Sequence, residues 1–401
     1  MSKELIGISI GSQTSIIGVL KGKVADIILS DSSNRRIPTI VSYSDRERLF
    51  GDSANSSAKS NFKRTVIYPS RWLGVQKDWP AVEEESKYAI LPPTVDKNNR
   101  IAFEINYKGN KDTYTAESLM GLYFQKLKKN WAREKIDTRD VVVAVPDFYT
   151  AHERKAMIEA LQLANLNCNE LVNESSAISL TYGLLRKNDF DDSKERIVAF
   201  VDMGQSKTTI FFGSFTKKLF KVVSVTSERF CGAREFDYIL AQEVAKEFKK
   251  KFECDPFKPP KIRMRLLEAV AKMRKTLTVN KEAAVSIDSL MEGEDCVHQF
   301  TKEQFETLVA PVLEKFRNIV KQSIKNAAAE AKIKLDQIHS VEMVGDAVRT
   351  PIIQQIIKEE FGKDLSKTLA PDECIARGCT LFAAMNSPYY TIMNFEFDFK
   401  V

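Results

Sequence analysis

The chain has 401 residues, 43% of them hydrophobic, and its 60 Lys and Arg against 54 Asp and Glu leave a net charge of +6. That length exceeds one simple core, so two or more domains are expected, with a composition ordinary for a folded globular protein. The basic excess is too mild for a nucleic-acid signature, no stretch approaches the roughly 18 apolar residues of a membrane span, and no basic-then-apolar secretory signal opens the chain.

In chain order, IGISIGSQTS (residues 6–15) reads as an apolar strand running into a glycine turn of small hydroxyls and an amide. Successive backbone N–H groups around Gly11 suit such a turn to an anion. Leu119, Leu122, Tyr123 and Leu127 fall on one helical stripe. DVVVAVP (140–146) is a β-branched run stopped by proline, the pattern of a buried central strand. Thr150 and Glu153 form a capping box that opens a helix through Leu161. RIVAFVDMG (196–204) is a second buried strand, and RKNDFDDSKE (186–195) and DPFKPPK (255–261) are candidate loops between subdomains. Residues 246–265 hold eight basic side chains against three acidic. They are read as a solvated helix and loop face, with a docking surface for an acidic partner as the alternative. Thr301 and Gln304 form another capping box, opening a long helical region with Pro311 inside it. SVEMVGD (340–346) is a third strand. A helix then starts at Pro351, buries Ile352, Ile353, Ile356 and Ile357, and closes at Gly362. Alternating strands and helices make this an α/β protein. Trp72, Trp79 and Trp131 are read as packing residues. Six scattered cysteines with no CxxC pair, and three distant histidines, form no zinc pattern and point to reduced thiols in a cytosolic or nuclear protein.

IGISIGSQTSII and AFVDMGQSKTTIFF share one plan: apolar strand, polar residue, one apolar residue, Gly, three polar residues, second apolar strand. Ser9 corresponds to Asp202, Gly11 to Gly204, and Ser12 and Gln13 to Gln205 and Ser206. The repetition suggests a duplicated two-lobe architecture with two loops facing one cleft; two ordinary hairpins are the alternative. Neither GxxxxGK[ST] nor GxGxxG is present, so a P-loop and a Rossmann fingerprint are excluded. Phosphoryl transfer would also need Mg²⁺, charge stabilisation and a positioned nucleophile. Asp202 and Glu174, in VNESSA, are candidate acids for the metal's water shell, or else a helix cap and a salt bridge.

These loops, with VNESSAISLTYG, MVGDAVRTPIIQ, SNRRIPTIVSY and RLFGDSA, resemble the nucleotide-binding domain of the seventy-kilodalton heat-shock chaperones over roughly residues 5–395. FVDMGQS, VPDFYTAHER, LANLNCNELVNESSA and ARGCTLFAAMNSPYY look specifically like the large, hundred-and-ten-kilodalton subfamily of nucleotide-exchange co-chaperones. The resemblance implies a two-lobed actin-like ATPase fold with a duplicated ribonuclease-H-like core. The first lobe would be 1–187 with an outer subdomain near 39–111, and the second 188–370 with an outer subdomain near 232–305. Residues 371–387 would return to the first lobe, and 388–401 would begin a linker to a substrate-binding domain that the sequence does not contain. Holding of unfolded clients is therefore not expected of it.

Carried over residue by residue, the resemblance makes Gly11, Ser12 and Gln13 the first phosphate loop and Gly204, Gln205 and Ser206 the second. Glu174 and Asp202 become the retained acids around Mg²⁺ and the attacking water. Arg274, Lys275 and Thr278 would lie near adenine and ribose, and Gly345, Asp346 and Arg349 would form the adenosine loop with Asp372 beside it. ATP or ADP with Mg²⁺ is the implied cofactor. The departures are Ser9 for the family's first-loop aspartate, Ser70 for its lysine, and Gln205, Ser206, Lys207 and Thr209 in the second loop. Ala271 replaces the adenine-side glutamate and Asp346 a glycine of the adenosine loop. Lys207 is read as a solvated lysine in preference to a phosphate counter-charge. Without the acid at 9 and the lysine at 70, a cleft that binds nucleotide and hydrolyses it weakly or not at all is expected. The implied role is a co-chaperone that opens a conventional seventy-kilodalton chaperone to release ADP. An ATP-hydrolysing foldase and an atypical ribosome-associated relative are the alternatives.

Overall fold

The computed structural model describes residues 4–22, 24–388 and, for the backbone alone, 396–398. By its internal contacts the chain divides into two units, one of Met1–Glu195, Phe215–Val222 and Asp372–Val401, the other of Arg196–Ser214 and Val223–Pro371.

One sheet runs in the order Asn167–Asn173, Asp140–Val145, Ile6–Ile10, Thr14–Lys21, Val24–Ile28. Ile6–Ile10 is parallel to Asp140–Val145 and antiparallel to Thr14–Lys21. Val141, Val142, Val143 and Val145 are all buried, because helices cover both faces of this β-branched run. On one face lie helices Ala116–Arg133 and Ala151–Leu163, whose Leu119, Tyr123, Leu127, Met157 and Leu161 share a core with Ile6, Ile8 and Val143. Leu122 is only half-buried. Thr150 and Glu153 cap the second of these helices reciprocally. The other face receives helix Cys374–Met385. Gly7 and Gly18 are cross-strand partners there, and a Cβ on either would lie 2.2 or 2.3 Å from Thr380 atoms. Only glycine leaves room for that helix. Trp72 and Trp131 are buried and Trp79 packs partly against the same core, consistent with packing roles.

A second sheet runs in the order Leu365–Ser366, Ile338–Val344, Arg196–Met203, Thr208–Phe215, Leu219–Glu228. Numbered along the chain, both five-strand runs have the order 5-4-1-2-3, with strand 1 parallel to strand 4 in each. The shared plan of the two glycine turns is thus the trace of a duplicated core, not of two unrelated hairpins. Most of the expected linker, 389–395 and 399–401, lies outside the described residues; Glu396–Asp398 pairs in parallel with the start of Leu219–Glu228.

The long helical region around Pro311 consists of two helices: Lys302–Leu308 ends at Val309, and Ala310–Ala331 starts afresh with the proline in its first turn. A first-turn residue needs no intrahelical N–H partner, so proline begins a helix there rather than interrupting one. The loop expected over 255–261 is present through residue 259, and helix Pro260–Leu277 takes only its last two residues, with Pro260 in its first turn. In the basic stretch, Lys249 pairs with Asp255 and Lys250 with Glu247, while Arg265 donates to the carbonyls of Asp288 and Ser289. Much of its charge is answered locally.

Candidate functional site

In the first unit, strand Ile6–Ile10 carries Ser9 into the sheet between Ala144 and Ile16, where it is buried. The next turn is closed by the Gly11 N–H donating to the Thr14 carbonyl at 3.0 Å. A Cβ at residue 11 would come within 2.6 Å of that carbonyl, so the turn requires glycine. Ser12 and Gln13 complete it, the Gln13 carbonyl accepting from the Thr39 N–H at 2.9 Å. Ser70 is buried in the short turn Pro69–Trp72, with its Oγ 3.4 Å from the Gly11 carbonyl and its own carbonyl taking the Tyr149 hydroxyl at 3.0 Å. The position that the resemblance gives to a lysine therefore touches the first turn through a neutral hydroxyl.

Glu174 is buried at the start of helix Glu174–Leu185. The following Ser175 is held by Asp147, which accepts both its hydroxyl and its N–H, the latter at 3.2 Å. Asp147 escaped sequence reasoning, although a carboxylate just past a proline-stopped central strand was a usable signal. Asp372 pairs with Arg36. Its neighbour Glu373 pairs with Arg35 and Arg377; burial opposes its charge, but the two guanidinium groups hold its carboxyl below the usual range.

In the second unit, Asp202 sits buried near the end of strand Arg196–Met203. The Gly204 N–H donates to the Lys207 carbonyl at 3.0 Å, closing a turn that also contains Gln205 and Ser206. The carbonyls of Gly204 and Gln205 accept the N–H groups of Ala233 and Arg234 at 3.1 and 2.8 Å. Helix Ala233–Phe252 thus commits its first donors to this turn. Thr209, where the family has an aspartate, is buried and accepts the Ser227 hydroxyl at 3.1 Å. Gly345 has φ +84°, and a Cβ there would lie 2.4 Å from the Met203 carbonyl and 2.8 Å from Asp202 Oδ1. Glycine is what lets the loop after strand Ile338–Val344 press against Asp202.

Asp346 draws Lys275 to 3.3 Å and Arg349 to 3.6 Å, so three of the predicted adenosine-side residues converge. Thr278 turns its hydroxyl back to the Lys275 carbonyl at 2.7 Å, capping its own helix. Arg274, expected near adenine, does not face solvent. It is buried, with Nε and Nη2 on the two oxygens of Asp237 at 2.6 and 3.2 Å. A guanidinium inside a core requires such a carboxylate, and Asp237 was missed because its partner lies 37 residues away. Lys207 is not solvated either. Its side chain is 13% exposed, and Nζ lies 3.0 Å from Asp202 Oδ2.

These residues fit a divalent cation poorly. Among the described residues no group of three or more His, Cys, Asp or Glu is placed to hold a metal. Ser9 offers only a neutral hydroxyl, and the Asp202 carboxylate is already answered by an ammonium. Lys207 brings a cation to the second turn, but the oxygen-rich, negatively charged surroundings that Mg²⁺ prefers are not found among these residues.

A family model described as "Hsp70 protein" matches residues 5–398. The chain is similar to a heat shock protein homolog of Lachancea kluyveri, at 33% identity over 395 residues covering 98% of this chain and 56% of that one. It is similar to heat shock protein hsp88 of Neurospora crassa at 33% identity, covering 98% and 55%. Heat shock 70 kDa protein 16 of Arabidopsis thaliana is 31% identical, with 98% and 51% covered. The chain spans about half the length of the curated relatives it matches. No helix among the described residues is long and apolar enough to cross a membrane. A match that begins in the first strand and runs through both copies of the five-strand core leaves no part of the architecture unaccounted for: the chain belongs to the Hsp70 family and has its actin-like ATPase fold.

Proposed function

We propose that this chain is the nucleotide-binding part of a cytosolic co-chaperone. It binds ATP or ADP through residues 11–13 and 204–206, with Lys275, Asp346 and Arg349 on the adenosine side. It hydrolyses ATP weakly or not at all, and it promotes nucleotide exchange on a conventional seventy-kilodalton chaperone. The observation that carries this reading is the pair of buried, uncharged hydroxyls at Ser9 and Ser70 beside a turn whose closing hydrogen bond is intact. Loss of one transition-state charge or donor costs roughly 3 kcal/mol, and such losses are not additive because the groups act together. Similarity to heat shock protein homologues supports the exchange role.

The test is release of labelled ADP from a conventional seventy-kilodalton chaperone. Saturating chain is expected to speed release at least about tenfold, equivalent to roughly 1.4 kcal/mol of barrier. An unchanged rate overturns the exchange role. Phosphate release from ATP that rises with chain concentration would favour the ATP-hydrolysing foldase instead.

A further inference from the structure

We propose that Lys207 stands in for the divalent cation at the phosphate end of the nucleotide, so that this chain binds ATP and ADP without a metal. The inference rests on the nucleotide-binding reading above. Asp202 and Lys207 are five residues apart, on either side of the turn closed by the Gly204 N–H and the Lys207 carbonyl. Their side chains are 6% and 13% exposed and meet at 3.0 Å. A carboxylate this deep requires a positive partner. Lys207 supplies it from the same turn, leaving Asp202 little negative charge with which to order a cation's water shell.

A dication brought to Asp202 would meet the ammonium first and be repelled. A nucleotide phosphate brought there would meet the ammonium end of that pair and the backbone of a glycine turn, and the ammonium, with three donors, can contact a phosphate oxygen while still holding Asp202. The lysine therefore performs the charge neutralisation, and its link to Asp202 fixes where that charge sits.

The experiment measures the Kd of fluorescent ADP and ATP for the whole chain in millimolar magnesium and in EDTA. The wild type is expected to differ less than about twofold between the two buffers, and Lys207→Thr is expected to bind at least about tenfold more weakly in EDTA than the wild type does. Lys207→Arg, which keeps the charge, is expected to remain metal-independent whatever its absolute affinity. If Lys207→Thr does not fold, the double change Asp202→Asn with Lys207→Thr leaves no bare buried charge and is expected to show the same loss in EDTA. A wild type that needs magnesium, or a folded Lys207→Thr that keeps wild-type affinity in EDTA, overturns the proposal. A wild type that holds no nucleotide in either buffer overturns the nucleotide-binding reading itself, and this proposal with it.

Discussion

Arg71, the residue after Ser70, donates from Nε and Nη2 to a single oxygen of Glu85 at 3.1 and 2.7 Å, with 6% and 1% of the two side chains exposed. An intact pair of this kind contributes little net stability, because desolvation offsets attraction, but removing one member takes a close counter-charge from the other buried group. Glu85→Ala is expected to destabilise the fold by about 3–5 kcal/mol, and Arg71→Met with Glu85→Leu to recover most of it. Urea unfolding of the three variants checks this; a loss in the double variant as large as in the single one would mean that packing, not charge, holds the site. Residue chemistry of this sort was only partly legible. Ser9, Ser70, Asp202 and Lys207 all stand out in the sequence, yet the ties of Lys207 to Asp202 and of Arg274 to Asp237 do not, because tertiary packing rather than spacing selects ion-pair partners.

Secondary-structure elements were more legible where their signals are local. The capping boxes at Thr150 and Thr301 form, and Gly362 closes its helix at φ +61°. The helix starting at Pro351 was legible for the same reason, while the break between helices just before Pro311 was not, because a proline can open a helix as readily as end one. Contacts between helices left no local trace at all. Gly378 in helix Cys374–Met385 sits so near helix Glu174–Leu185 that a Cβ would lie 2.0 Å from the Ala177 carbonyl. Gly378→Ala is expected to force the two helices apart at about 1–3 kcal/mol, despite alanine's better helix propensity. A denaturant midpoint equal to or above that of the wild type would show that the helices separate freely.

At the scale of the whole molecule, the duplicated core was legible because both copies keep the glycine turn, whereas the division into two units depends on contacts that no window of sequence contains. The molecule's alkaline limit also belongs to this scale. Burial pushes the Cys231 thiol up to about 12 and that of Cys168 up to about 11. Unfolding frees each thiol to ionise near its ordinary value of about 8.5, so the unfolded state gains from every rise in pH above that value while the folded state does not. Stability is therefore expected to fall as pH climbs above about 9, by at most roughly 1.4 kcal/mol per pH unit for each such thiol. Cys231→Ala should flatten the slope by one thiol's share. Chemical denaturation between pH 8 and 11 measures this, and a wild-type curve that stays level would refute it.

The glycine cradle at Gly7 and Gly18 also bears on how the polypeptide is completed during synthesis. The helix that fills it, Cys374–Met385, emerges more than 350 residues after the strand it covers. Until then the earliest-made sheet has one apolar face uncovered, while most of the second unit lies in between and can gather its own core beforehand. Loop closure over so long a separation is slow, and a waiting apolar surface is prone to misassociation. The sheet that holds Ile6–Ile10 is thus completed only after most of the second unit has been made, and a member of a chaperone family carries in its own topology an interval in which it would benefit from a chaperone.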